Sequence, residues 1–456
     1  MIVKKLFPGL LAFTMIAGIT MEVGYAQNPN NKGIWLSNEE IAALPTSGKA
    51  WQNVKSAADK STGRPNVSDQ DNPVNVRVLA KALVYARLGD ETYRNEVIDA
   101  CMAAIGTERG GRTLALGREL GAYVIAADLV GLPPDKDGNF REWLRSTLSE
   151  TLSGRTLRST HEDRPNNWGT HAGATRAAIA RYLDDNAELE RTAKVFKGYL
   201  GDRSSYADFE YGNLSWQADP SKPVGINPKG ATKEGHSIDG VMPDDMRRGG
   251  GFKFPPSSTG YPWEGLQGMV VQAEILYRAG YETWSWQDKA ILRAVQFLHD
   301  IGWEAEGDDT WTPWIINYRY GTNFSAKSPT SPGKNNGWTD WTHGPGRKDG
   351  GRTTGVEGKV ENSVNGTAVE GAKVQLRQDG SSRYETTSSS SGRYSFLGIA
   401  AGTYELLCTR NGFADWTGTV VVEEEQLLVG QNIRLAPIGD SVPPEPPRNV
   451  RVTSSD

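Results

Sequence analysis

Residues 164–183 read RPNNWGTHAGATRAAIARYL: an amide pair, an aromatic ring and an imidazole running directly into an alanine-rich segment. Ala172 to Leu183 has helical spacing, and alanine gives up no side-chain entropy in a helix. Asn166 or Asn167 would cap it, because a short amide side chain satisfies free N–H groups of the first turn. If the helix already includes Asn167, Asn167 and His171 are four apart and share a face; Gly169 between them leaves that open. An amide can hydrogen-bond a carboxylate without carrying charge, and an imidazole can move a proton near neutral pH. The cluster therefore suits chemistry on an acidic sugar, and equally a capped helix with a satisfied histidine.

Helical patterns surround this stretch. Val76 to Leu88 is apolar at helical spacing and stops at Gly89, a good C-terminal cap. Tyr93 to Ile105 follows, then Leu114 to Leu129 (LALGRELGAYVIAADL), ended by Gly131 and Pro133-Pro134. Further helices are expected at Phe140–Leu152, Ala187–Leu200, Leu266–Ala279 and Asp288–Leu298, with a short one at Asn38–Ala43 in an otherwise polar stretch from Gln27 to Asn75. Antiparallel helical hairpins with long loops on one side make an α/α toroid, an incomplete barrel. No fixed repeat length supports a helical-repeat scaffold instead.

Composition separates a second region. Thirteen of the 14 tryptophans lie between Trp35 and Trp341, whereas the chain after Arg352 is rich in Val, Gly, Thr and Ser. Gly355–Val360, Lys373–Arg377, Arg393–Leu397, Tyr404–Cys408 and Thr417–Val422 read as short strands between glycine turns, a small β-sandwich. The fold class is thus mainly α, a toroid followed by a sandwich. The expected divisions are 1–26, 27–345, 353–437 and 438–456. The linker from Ser325 to Arg352 carries Trp338 and Trp341, which should pack on the helical body. The last division is a Pro-rich spacer whose ending, NVRVTSSD, looks like the first strand of a fibronectin type III module.

A net charge of −5 over 456 residues provides no global basic field for nucleic acid or anionic lipid. Lys4 and Lys5, the apolar run from Leu6 to Ile19 and the small residues around Gly24-Tyr25-Ala26 have the layout of a signal peptide over 1–26, so a secreted or periplasmic protein is expected. The run is too short for a membrane span. Cys101 and Cys408 fall in different regions, as buried thiols and not a disulfide framework. No metal-ligand spacing, phosphate-binding loop or Gly-x-Ser-x-Gly elbow occurs.

A second constellation lies at the end of a long irregular stretch from Leu200 to Gly265. In DGVMPDDMRRGGGFKFPPSSTGYPWEGLQ, from Asp239, Arg247 and Arg248 precede a glycine run, and Tyr261 stands just before a helix. A guanidinium fork matches a carboxylate, and a cation beside a phenol favours the phenolate. A solvated basic loop and an aromatic anchor at a helix start explain the same residues. Trp168 and Trp263 adjoin these groups and could stack on a sugar, and His236 is a further substrate-contact candidate; the other tryptophans belong to the core. His161, His299 and His343 receive no role.

Together these pieces resemble the alginate lyase superfamily of polysaccharide lyases. The matching stretches are ALVYARLGDETYRNEVIDA, GRELGAYVIAADLVGL, NNWGTHAGATRAAIARYLDD, DGVMPDDMRRG and GYPWEGLQGMVVQAEILYRAG, in the family's order across residues 75 to 300. The resemblance implies β-elimination on a uronic-acid polymer, without a cofactor. It gives Asn167 as the amide that binds the carboxylate, His171 as base or charge neutraliser, Arg248 as carboxylate clamp and Tyr261 as acid and possibly base; the expected substrate contacts are Asn166, Trp168, His236, Arg247 and Trp263. Many of these lyases place the histidine directly after the Asn pair, where this chain has Trp168. GVEGKV, VEGAKVQL and SGRYSFLGIAAGTYELLCTRNGF resemble the carboxypeptidase regulatory-like, transthyretin-type sandwich, an accessory module.

The expected partner is an acidic polysaccharide, with no nucleic acid and no membrane span, and the chain is expected to be a monomer. Two other readings stay open. An α/α-toroid glycoside hydrolase would draw two acids from Asp239, Asp244, Asp245 and Glu264. A non-catalytic glycan-binding protein would need only the tryptophans and the β-module. The uronate, the endo or exo mode, and syn or anti elimination are not legible in the sequence.

Overall fold

The computed structural model describes residues 28–438 except 330, 345–354, 390–391, 398, 424–426 and 429. The expected signal peptide, the tail past 438 and the linker from 345 to 352 lie outside the described residues.

The helical body runs through α1 (Asn38–Ala42), α2 (Gly48–Ala58), α3 (Val74–Leu88), α4 (Glu91–Ala104), α5 (Thr113–Val130), α6 (Pro134–Thr147) and α7 (Leu157–Asp163). It continues through α8 (Asn167–Leu183), α9 (Asn186–Tyr199), α10 (Pro243–Met246), α11 (Tyr261–Arg278), α12 (Trp286–Asp300), α13 (Thr312–Tyr320) and α14 (Thr339–Thr342). A short hairpin, β1 (Thr232–Lys233) and β2 (His236–Ser237), interrupts the long loop before α10.

These helices form two layers. α3, α5, α8 and α11 stand side by side and are buried nearly all round; α5 buries all 18 of its residues. α4 and α9 pack on the outside of this row with one apolar face each, and α12 joins at α11. A row of helices buried on nearly every side, sheathed by amphipathic ones, is an incomplete α/α barrel. Among the described residues no helix is long and apolar enough to cross a membrane.

Small residues set how closely the inner row packs. A Cβ added to Gly117 of α5 would stand 2.9 Å from the Ala172 backbone nitrogen, and one on Gly268 of α11 would stand 2.5 Å from the His171 backbone nitrogen. α8 is therefore held backbone-close on both sides. A buried ionic cluster ties the far side of the body: Arg278 of α11 bonds Glu274 at 2.6 Å and Glu40 of α1 at 2.7 and 2.9 Å, and Arg319 of α13 pairs with Glu274.

The helices expected from periodicity are present with shifted ends. The one expected at Phe140–Leu152 is α6, which begins earlier because Pro134 is suited to a first helical turn. α2 lies in the stretch read as polar, and α7 and α13 lie where no element was expected. α2 buries only Trp51, Val54 and Ala58, and α7 is a short polar helix fixed by a Thr156–Ser159 capping box. Trp338 and Trp341 do pack on the body, donating to the Val76 and Pro45 carbonyls at 2.8 Å each.

The β-sandwich has one sheet in the order β10 (Ile433–Leu435), β3 (Gly355–Asn362), β6 (Arg393–Leu397), with β9 (Leu427–Leu428) also pairing β3. The other runs β5 (Ser381–Thr387), β4 (Lys373–Gln378), β7 (Gly402–Thr409), β8 (Trp416–Val422). Its core alternates along the strands, as in Val374 and Leu376 of β4 or Tyr404, Leu406 and Cys408 of β7. Arg181 of α8 bonds Glu357 of β3 at 3.1 Å, joining the sandwich to the helical body. Both cysteines are free and buried.

The close approach of α8 and α11 predicts a contrast between two glycines. Gly268→Ala should lower stability by about 1–3 kcal/mol, because its methyl meets backbone that cannot step aside. Gly138→Ala in α6 meets nothing within 4 Å and should raise stability by about 0.5–1 kcal/mol through helix propensity. Denaturant midpoints of the two variants test this; equal shifts would show that the packing is not glycine-limited.

Candidate active site

α8 begins at the amide pair. Asn166 is extended at the N-cap, and its side-chain oxygen accepts the Trp168 backbone N–H at 3.1 Å. Its amide nitrogen donates to Asp244 at 2.7 Å, so both of its polar ends are committed. Asn167 is the first helical residue, hence Asn167 and His171 do occupy one helix at i, i+4. The Asn167 backbone N–H donates to Asp245 at 3.1 Å, while its side-chain oxygen is buried without a partner.

Two adjacent carboxylates thus pin the positive end of α8 to the long loop. Asp244 further accepts the Gly212 N–H at 3.1 Å and a two-pronged contact from Arg247 at 2.6 and 3.1 Å. Asp245 is fully buried and lies 2.6 Å from where a Cβ on Gly265 would stand, so α11 comes this close because residue 265 is glycine. Burial pushes the Asp245 carboxyl well above the usual range, with Asp244 adding to the shift and the Asn167 N–H opposing it.

The arginine pair is thereby divided. Arg247 is spent on Asp244, whereas Arg248 is exposed, makes no ion pair among the described residues, and holds its guanidinium 4.0 Å from the centre of the Tyr261 ring. Tyr261, half-buried, opens α11. The loop therefore joins the start of α8, where the buried Asn167 bonds Asp245, to the start of α11, where Arg248 reaches Tyr261.

The other expected site residues differ in exposure and bonding. His171 is fully buried between Gly117 and Gly268, and neither ring nitrogen has a well-formed hydrogen bond. Burial, with the charges of Arg118 and Lys334, holds its pKa well below the ordinary value, which favours a neutral ring inside the helix interface. Trp263 is also buried, with its indole N–H donated to the Trp303 carbonyl at 3.3 Å, and offers no open face. Asn166 and Arg247 both bond Asp244 and so hold the loop. Trp168 is half-buried beside the site. His236 is exposed on the β1–β2 hairpin, stacked on Phe254 at 4.3 Å.

Sequence reading named Glu264, one turn along α11, only as a hydrolase acid and missed the residues gathered around it. Glu264 pairs with Arg118 of α5, and the two line a cavity of about 340 Å3 together with Gln70, Asp71, Asp308 and Lys334. Behind it, the fully buried Gln267 donates to Asp309 at 2.5 Å. The signal for Arg118 was present: GREL places two adjacent charges inside a mostly apolar helix, a pattern tolerated only where the charges are used. Lys334, in the turn-rich linker, carried none.

Burial pushes the Asp309 carboxyl up to about 8, reinforced by Glu264 and Asp308 and opposed by Gln267. A carboxyl whose folded pKa is raised contributes stability that is fully present below its unfolded value near 3.8 and is lost as pH rises through about 8. Asp309→Asn should therefore gain stability relative to the parent protein across that window and no further above it. Melting temperatures measured through the window check this, and a constant difference would contradict it.

Comparison with known proteins divides the chain as the fold does. Residues 80–204 match the alginate lyase family model and residues 355–436 the carboxypeptidase regulatory-like domain model. The first match contains Asn166, Asn167 and His171 and ends before Arg248 and Tyr261. No curated protein matches. Matching solved structures include a variant of the major pilin subunit of Bacillus cereus, 17% identical over 18% of this chain and 30% of that one, with a TM-score of 0.15. A streptococcal ancillary pilin is 18% identical over 19% and 29%, also with a TM-score of 0.15. The chain spans less than a third of either pilin's length, and at that score the likeness bears on neither fold nor function. The chain thus joins a region similar to alginate lyases, which supports a polysaccharide lyase in general, to a β-sandwich similar to the carboxypeptidase regulatory-like domain.

Proposed function

We propose that this protein is a secreted lyase that cleaves uronate-containing polysaccharide by β-elimination at C5, with Tyr261 transferring the protons. The observation that carries the proposal is Arg248 standing 4.0 Å over the Tyr261 ring, at the mouth formed by α8 and α11. A uronate carboxylate held by the Arg248 guanidinium and the Asn167 amide would have its charge offset, which makes the C5 proton more acidic. The Tyr261 phenolate takes that proton, the C4–C5 double bond forms, the C4–O bond breaks, and the phenol returns the proton to the departing glycosidic oxygen.

The burial of His171 favours one residue for both transfers. A single group can serve both only if the C5 proton and the C4 oxygen lie on one face of the ring. That syn relation holds for D-mannuronate and D-glucuronate and fails for L-guluronate. His171 then positions α8 without touching substrate. Hydrolysis is the weaker reading, because the four acids that could serve it are engaged or enclosed. Asp239 bonds Arg293 at 2.5 Å, Asp244 bonds Arg247, Asp245 is buried, and Glu264 pairs with Arg118.

Incubation with uronate polymers should yield the ultraviolet absorbance of an unsaturated uronate. Tyr261→Phe should abolish it while leaving the circular dichroism spectrum and melting temperature intact. Arg248→Met should lower kcat/KM by about 10²-fold or more. Retained turnover in Tyr261→Phe would remove Tyr261 from the chemistry. New reducing ends without absorbance would mean hydrolysis.

A further inference from the structure

The cavity beside α11 has no part in the chemistry assigned to Tyr261, yet its position relates it to the substrate. Glu264, on its wall, is three residues from Tyr261, so the two side chains lie along one edge of the helix, a turn apart. A polymer bound with one sugar at Tyr261 places the next within reach of this cavity. About 340 Å3 is room for a sugar ring.

Its charges decide what kind of sugar. Asp71, Glu264 and Asp308 face it as acids, Arg118 and Lys334 as bases. Both bases are already engaged: Arg118 with Glu264, and Lys334 with the Gln70 carbonyl at 2.7 Å and Asp71 at 3.3 Å. Asp308 is left over, with Asp309 directly behind it. The carboxyl groups are crowded enough that burial and its neighbours keep Asp309 protonated at neutral pH. A second uronate carboxylate would find here only cations already paired with carboxylates, and would meet Asp308 and Glu264 at close range. Hydroxyl or acetamido groups would instead donate to those carboxylates and accept from Lys334.

We infer that this cavity is a subsite for an uncharged sugar, so that the substrate is a heteropolymer in which a D-uronate alternates with a neutral residue. The inference rests on the lyase reading for its placement beside the reacting sugar. It narrows that reading, because a homopolymer such as polymannuronate would force an anion into the cavity.

Initial rates on polymannuronate and glucuronan, compared with heparosan and hyaluronan, test it; the latter two alternate D-glucuronate with N-acetylglucosamine. The alternating polymers should be cleaved with a kcat/KM at least about ten-fold higher, and Asp308→Lys should narrow that ratio by about as much, with Asp308→Asn intermediate. Equal or faster cleavage of the homopolymers overturns the inference. Calorimetric titration of Tyr261→Phe with a heparosan tetrasaccharide and a mannuronate tetrasaccharide decides it independently of turnover. Absence of ultraviolet product from every polymer defeats the lyase reading. Even then, tighter binding of the heparosan tetrasaccharide, weakened by Asp308→Lys, upholds the subsite. Tighter binding of the mannuronate tetrasaccharide, or binding of neither, overturns it.

Discussion

The seating of α8 between α5 and α11 is the constraint on which the rest of the site depends. Gly117 and Gly268 admit the α8 backbone from either side, and Gly265 admits the Asp245 carboxylate to the same junction. A side chain at any of the three would press on neighbouring atoms and spread the helices. With them absent, the start of α8, the start of α11 and the loop before it converge within a few ångströms. The polar groups can then be held by short bonds instead of water.

That convergence accounts for the division of labour in the site. Asp245 takes up the Asn167 N–H at the start of α8, and Asp244 takes up the Asn166 amide and the Arg247 guanidinium, and so they turn a long irregular loop into a fixed wall. Arg247 is consumed in fixing the wall, and its neighbour Arg248 is left presented beside Tyr261. Adjacent residues of the same type thus carry unlike tasks, one holding the loop and one available to an anion. The buried cluster of Glu40, Glu274, Arg278 and Arg319 holds the other end of α11 without taking part in this geometry.

Much of this was legible in the sequence because it is written in local patterns. Continuous apolar helices such as α5 announced an inner layer, period-two strands announced the sandwich, and the Asn pair announced a helix start. What escaped had no local signature. The depth of His171 follows from glycines 54 residues before it and 97 after it, which spacing within α8 cannot reveal. The same holds for Trp263, whose burial is set by the Trp303 segment, and for Lys334, brought to the cavity from the linker. α2 and α7 were missed because short polar helices are made by caps and docking, and not by an apolar stripe.

The central claim is that Asn167, Arg248 and Tyr261 together receive one uronate. The most direct measurement is a crystal structure of the Tyr261→Phe protein bound to a D-glucuronate-containing tetrasaccharide. A uronate carboxylate between the Arg248 guanidinium and the Asn167 amide, with C5 facing residue 261, is the result expected. A sugar bound away from this junction, or a carboxylate held by other cations, would contradict the account.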